Sequence, residues 1–562
     1  MIRSQNRWSR RVIASLAGLL LLTAPVAAQE KLQPLGGGIA NATEPVVVVT
    51  LGSIDKLMQD VNYLSGAVGQ AQAGAMFGLM AGTFTQGIEP TQPIAIVVPL
   101  VDGAPQPIAL IPTSDIKPVL KRLEAQTGPT DELDDGTHVI IMGANTLFIR
   151  QAGNWAVLAP KRELLDLAPS DPTGLFRGMG NEYDIAVRLK MQQVPAQTRQ
   201  MLIAQLRQGF EQAMAKQNNG DAESGRAMAE SSIEQIEQLI NDTDELSFGF
   251  NVDQAGKKVM MDGGFTAVPG SKLAAMYGGT QAIPSQFASV IRDDAASFYH
   301  GATSIGPEAI EQTRNSLKTS LTAVEKAIEN DDKLNVDQKA KVQELIRRVG
   351  DLAVESVAEG KADVGAMLLA DENDFQFVFG AFVSDGNKAA QIVKDLANEV
   401  QNLPNAPRFK FDIGNYNGVN MHVVEADVPA GEDEARRVFG ETLRVHVGTG
   451  PKAVYVAIGN KGESLMKELI DAGGSDNGGR PISQLQVKLL PILQFAHSIE
   501  PSDAIASMID ALSRAVDPGV LSVVQDAVEN GMKGRLSMGE GLLQAIGAAG
   551  RQAQEAQMQG QF

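Results

Sequence analysis

Two stretches about 270 residues apart share one order of elements. "PIALIPTSDIKPVLKRLEA" (Pro107 to Ala125) reads as an apolar strand, a Ser-Asp cap and a helix; "FQFVFGAFVSDGNKAAQIVKDLANEV" (Phe375 to Val400) reads the same way. A loop follows each helix, then a strand after a turn glycine, "DDGTHVIIM" near Gly136 and "NYNGVNMHVVEA" near Gly418. A hairpin whose second strand feeds a helix comes next, "NTLFIRQAGNWAVLAPKRELLDLA" in one copy and "ETLRVHVGTGPKAVYVAIGNKGESLMKELIDA" in the other. Strands joined by tight turns must pair antiparallel, and interleaved single helices must bury their apolar stripe on the resulting sheet. The expected class is therefore α+β: two homologous halves, each a curved, mainly antiparallel sheet with helices packed on it.

The repeat sets the boundaries: a first α+β repeat over 45–280 and a second over 281–549, with a polar, glutamine-rich tail over 550–562. The second half adds a long charged helical hairpin, Gly306 to Asn330 and Val336 to Glu359, with Asn335 and Gln338 spaced as a capping box. The first half carries helical segments over Gln197 to Lys216 and Ala227 to Asn241, with the low-complexity "KQNNGDAESGR" between them.

Residues 1–28 are set apart from this pattern. Arg3, Arg7, Arg10 and Arg11 precede an apolar run from Val12 to Ala24 and the small residues Val26-Ala27-Ala28. This is the pattern of a secretory signal peptide cleaved after Ala28, by the general or the twin-arginine route, followed by a linker over 29–44. The run is too short for the about 20 residues a membrane helix needs. The expected location is the periplasm or the cell exterior, with no transmembrane span in the mature chain.

The formal charge is −19, and removal of the leader's four arginines makes the remainder more acidic still. Such a surface repels phosphate backbones, which excludes nucleic acid as a partner. The absence of cysteine removes disulfides, thiolate metal sites and cysteine nucleophiles.

No pattern of catalytic or metal-binding residues emerges. His138, His300, His422, His446 and His497 lack metal-ligand spacing, and Ser114 and Ser384 sit where helix caps belong. "ENDDKLNVD" (Glu329 to Asp337) lacks the glycine and closing glutamate of a calcium loop. No catalytic, cofactor-binding or metal site is assigned. Two features remain. Trp155, Phe148 and Phe377 are candidates to line an apolar groove on a curved sheet. Gly74, Gly78 and Gly82 of "GAMFGLMAG" form a smooth stripe for a helix–helix contact, leaving Met76, Phe77, Leu79 and Met80 on the other faces.

The "GNWAVLAP" strand with its following helix, and the closing "GEGLLQAIG" (Gly539 to Gly547), resemble those of exported bacterial proteins of unknown function built from a duplicated α+β module. The resemblance covers nearly all of the chain after the leader and implies no activity. The expectation is a non-enzymatic exported binding or scaffold protein that holds a lipid or other apolar small molecule, or meets an envelope protein. The alternatives are a carboxylate-dependent hydrolase of the cell envelope and a protein–protein interaction module.

Overall fold

A computed structural model describes residues 45–142, 145–176, 178–216, 233–330, 335–401, 406–474 and 478–559. The leader, the linker and most of "KQNNGDAESGR" lie outside them. The chain divides into two units: the first gathers Ala28–Ala275, Ala506–Val523 and Val528–Phe562, the second Met276–Ile505 and Val524–Ala527.

The first unit begins with β1 (Val47–Leu51), a helical pair α1 (Ile54–Ala67) and α2 (Ala71–Phe84), then β2 (Ile94–Val98), β3 (Ile108–Pro112) and α3 (Ile116–Thr127). Ser53 caps α1 and Asp115 caps α3, each accepting from a backbone N–H two or three residues on. Strands β4 (Asp131–Glu132), β5 (His138–Met142), β6 (Asn145–Ala152) and β7 (Trp155–Ala159) follow as a meander. The β6–β7 turn carries Gly153 at φ 61°, a backbone that favours glycine. Then come β8 (Ile185–Lys190), α4 (Ala196–Lys216), a helix over 233–242, β9 (Thr243–Asp253) and β10 (Lys258–Ala267).

Pairing is antiparallel throughout, in the order β4-β5-β6-β7-β3-β2-β1-β8-β9-β10. One face of this sheet is sealed. Val48, Val97, Ile108, Leu110 and Val157 pack under Leu164, Leu165, Leu175, Phe176 and Met179, which arrive on short helical turns after β7.

In the second unit, β11 (Ser297–Ser304) leads into α5 (Pro307–Glu329) and α6 (Val336–Ala358), then β12 (Lys361–Ala370), β13 (Phe375–Phe382) and α7 (Gly386–Val400). Strands β14 (Arg408–Tyr416), β15 (Val419–Asp427), β16 (Thr442–Thr449) and β17 (Ala453–Ile458) follow, then α8 (Gly462–Asp471), β18 (Ser483–Lys488) and α9 (Leu489–Ile499). The order is β14-β15-β16-β17-β13-β12-β11-β18, again antiparallel. Its core joins Phe287, Val378 and Tyr455 to Leu465, Met466 and Leu469 of α8. Phe287 is fully buried, and a Cβ at Gly380 would lie 2.4 Å from its ring, so this packing requires glycine there.

The charged helical hairpin forms with the expected caps: Asn335 accepts from Gln338 N–H while the Gln338 side chain accepts from Asn335 N–H. Asn335→Ala is expected to lower stability by about 1 kcal/mol, read from the urea midpoint.

The chain closes with β19 (Gly531–Gly539) and α10 (Glu540–Gln559). Both lie in the first unit, with β19 antiparallel to β10. Helix α10 runs through most of the glutamine-rich tail, because alanine, glutamine, glutamate and methionine are all good helix formers. The α+β class and antiparallel pairing agree with expectation. Helical segments lie on both faces of the first unit's sheet, since α3 packs on Ile140, Ile149 and Ala156, on the face opposite Trp155 and Val157.

Candidate apolar ligand-binding face

Strand side chains alternate between faces, so the registers of β2, β1, β8, β9, β10 and β19 fix which residues line up across the first unit. One row runs Ile96, Val49, Val187, Phe248, Gly263, Gly534. The row toward one end of the strands runs Ile94, Leu51, Ile185, Phe250, Met261, Leu536. The row toward the other runs Val98, Val47, Leu189, Leu246, Phe265, Met532. None of these positions is polar.

At about 4.8 Å between strands and 6.8 Å between alternate residues, the rows cover roughly 300 Å². They are open over β2, β8 and β9, where Phe248 is 43% exposed, Ile96 39% and Ile185 38%, while Met532 and Gly534 on β19 are buried. A typical monomer's largest contiguous apolar patch covers about 300–600 Å² and is often functional. Beside Phe248 the row continues through two glycines, Gly263 and Gly534.

Both ends of the same face are roofed. At one, Ile116 and Leu120 of α3 pack on Ile111, Leu158 and Ile149. At the other, Tyr63, Leu64, Ala67 and Val68 of α1 and its C-terminal turn, with Leu543 of α10, pack on Phe250, Val252, Val259 and Met538. The open part of the rows, around Ile96, Ile185 and Phe248, lies between these two covered regions.

Polar contacts at the rim pin α1 to the sheet. Lys56 pairs with Asp184 and donates to Asn251 Oδ1 at 2.7 Å; Asp184 accepts from Val252 N–H at 2.6 Å. One turn on, Asp60 accepts from Gln254 Nε2 at 2.6 Å. Asp184 and Asp60 are both buried. Burial, with the Asp184 carboxylate adding to it and the Gln254 hydrogen bond opposing, pushes the Asp60 carboxyl up to about 6. Further along, the Tyr63 hydroxyl donates to Glu540 at 2.8 Å, and burial and that carboxylate raise its pKa.

The residues singled out from the sequence divide between the faces. Trp155 is 5% exposed and sits in the sealed core, edge to face with Phe176. Phe148 packs against that core too. Phe377 lies on the face of the second unit's sheet opposite Val378, half-buried, in register with Leu368, Ile458 and Val445. Of the glycine stripe, Gly74 approaches α1, where a Cβ would lie 2.9 Å from Ser65 Cβ. Gly78 and Gly82 have no atom within 4 Å of such a Cβ, so α2 leans on α1 at its first turn and stands clear beyond it.

Two buried histidines of the second unit, His422 and His446, lie on neighbouring strands. His422 Nδ1 accepts from Asp412 N–H and its Nε2 lies 3.0 Å from Thr449 Oγ1; His446 packs near Gly462. Burial lowers the pKa of both. Among the described residues, no three histidine, aspartate or glutamate side chains converge as a metal site would require. Among these residues, too, no helix is long and apolar enough to cross a membrane.

No family model matches the chain, and no curated protein matches it. Among solved structures, it is similar to one described as crystal form IV of TP0453, at 7% identity, covering 42% of this chain and 81% of that one with a TM-score of 0.22.

Sequence reasoning passed over the exposed rows. Their clearest trace is "ELSFGFNVD", where Leu246, Phe248, Phe250 and Val252 alternate with polar or small residues. Elsewhere the strands are apolar on both faces, as in "VVVVTL" and "IAIVV", and periodicity cannot say which side stays open.

Proposed function

We propose that this is an exported, non-enzymatic binding protein whose first unit holds a lipid or other apolar molecule against the rows centred on Phe248, Ile96 and Val187. The observation that carries the reading is a wholly apolar face, a third or more exposed at Phe248, Ile96 and Ile185, lying between two roofed regions. Export rests on the leader's pattern. The shared order of eight strands in the two units, with a helical hairpin after the first strand of each, supports descent from one duplicated module. The hydrolase alternative draws little from Asp60 and Asp184, whose partners Lys56, Val252 and Gln254 give them a fastening role.

Native mass spectrometry of the protein purified without detergent, followed by organic extraction, tests this reading directly. A stoichiometric apolar molecule is expected. Phe248→Asp places a charge among the rows, and is expected to weaken binding of a fluorescent stearate analogue at least about tenfold. A clean apo mass together with no stearate binding overturns the proposal, as does undiminished binding by the variant.

A further inference from the structure

Between Asp60 and Glu89 there is no charged residue. Helix α2 occupies the middle of this stretch, and Met76 is 64% exposed, Phe77 43%, Leu79 77% and Met80 56%. At 100° per residue these four side chains fall within an arc of about 160°, with Gly74, Gly78 and Ala81 on the opposite side, where Gly74 meets α1. A soluble chain does not ordinarily leave an entire apolar helix face in water.

We propose that α2 docks the protein on the surface of a zwitterionic lipid bilayer, its Met76, Phe77, Leu79 and Met80 side chains entering the boundary between headgroups and acyl chains. Charge selects this occupant. An anionic bilayer repels a chain of net charge −19 whose docking segment has no lysine or arginine to offset it. A charged protein partner finds no opposite charge on α2 to pair with.

Area argues against a second copy of the chain. The four side chains expose roughly 500 Å² together, short of the about 800 Å² each partner contributes to a stable interface. A bilayer imposes no such threshold, because insertion needs neither shape complementarity nor a matching patch. Methionine suits the role, since its flexible side chain adapts to a fluid environment. Where an interfacial helix usually carries a polar half, α2 carries small residues, of which Gly74 at its first turn is buried against α1. Docking does not depend on what the sheet face holds, but it would set that face's unit beside a source of apolar ligand.

Flotation of the full chain with phosphatidylcholine vesicles, with phosphatidylglycerol vesicles in parallel, tests the proposal. The expected result is flotation with phosphatidylcholine, weakened at least about tenfold in the double variant Met76→Glu, Leu79→Glu. Both side chains are exposed, so circular dichroism and the unfolding midpoint should match the parent and separate lost docking from lost folding. Stearate binding, read in the same variant, should persist, which distinguishes failure of docking from failure of the ligand reading. No flotation with phosphatidylcholine overturns the proposal, and so does flotation with phosphatidylglycerol alone or undiminished flotation of the variant. A vesicle-free dimer that the double variant converts to monomer overturns it in favour of self-association.

Discussion

Arg535→Ala is expected to destabilise the first unit by about 3–5 kcal/mol, the range seen when one partner of a buried ion pair is removed. Arg535 on β19 stands directly across from Asp262 on β10. Its Nε and a terminal nitrogen donate to the two carboxylate oxygens at 2.8 and 2.7 Å, and the Tyr183 hydroxyl donates to one of them at 2.9 Å. Asp262 is only 4% exposed, so without the guanidinium its charge stays in a site that water barely enters. The arginine itself is half-exposed and can be solvated once freed, so Asp262→Ala should cost less than Arg535→Ala. Replacing both residues with an apolar pair, Asp262→Leu and Arg535→Met, should recover most of the loss. Urea unfolding of the three variants checks the ranking. Equal losses for the two single variants would mean that the pair itself, and not a stranded carboxylate, sets the scale.

That ion pair joins positions 273 residues apart in the chain, and it shows where legibility stops. What the sequence displays is local. The hairpin around Gly153, the helix caps at Asp115 and Asp385 and the capping box at Asn335 all depend on residues a few positions apart, and the structure has each of them. Antiparallel pairing follows from the same short turns. Strand order is another matter: β1 sits between β2 and β8, and β8 comes from more than 130 residues later. Nothing in "VVVVTL" names either neighbour.

Trp155 illustrates the related difficulty with the site. A lone large aromatic beside a turn draws attention as a ligand contact, but its face is decided by register. Paired with Pro112, it points to the same side as Val157 and Leu110, where the short helical turns after β7 supply a roof. Phe248 is no more conspicuous in sequence, and it is exposed because of what fails to cover it. Roofing is a tertiary property. The glycine stripe behaves similarly, since spacing alone puts Gly74, Gly78 and Gly82 in line, while the angle between α1 and α2 brings only the first of the three into contact.

The fastening of α1 should also make stability depend on pH in an unusual direction. Burial raises the Asp60 carboxyl from its ordinary value of 3.8 to about 6 in the folded protein. Between these values the folded state holds a proton that the unfolded chain has released, so stability must fall as pH rises across that window. The gap corresponds to about 3 kcal/mol, present in full below about pH 4 and lost by about pH 7. The cause is geometric: when Asp60 ionises, two carboxylates face one ammonium, Lys56, in a buried setting, and Asp184 already holds that cation. Asp60→Asn keeps a polar side chain beside Gln254 and has no proton to lose. It should therefore flatten this part of the profile and raise stability at pH 7, by up to about 3 kcal/mol if Gln254 turns its amide to suit. Urea midpoints of parent and variant from pH 4.5 to 7.5 decide the matter. Parallel curves would remove Asp60 as the titrating group. Converging curves at low pH would show that the contact between α1 and the sheet is held most firmly when Asp60 keeps its proton, and that α1 is the part of the roof which loosens as the pH rises.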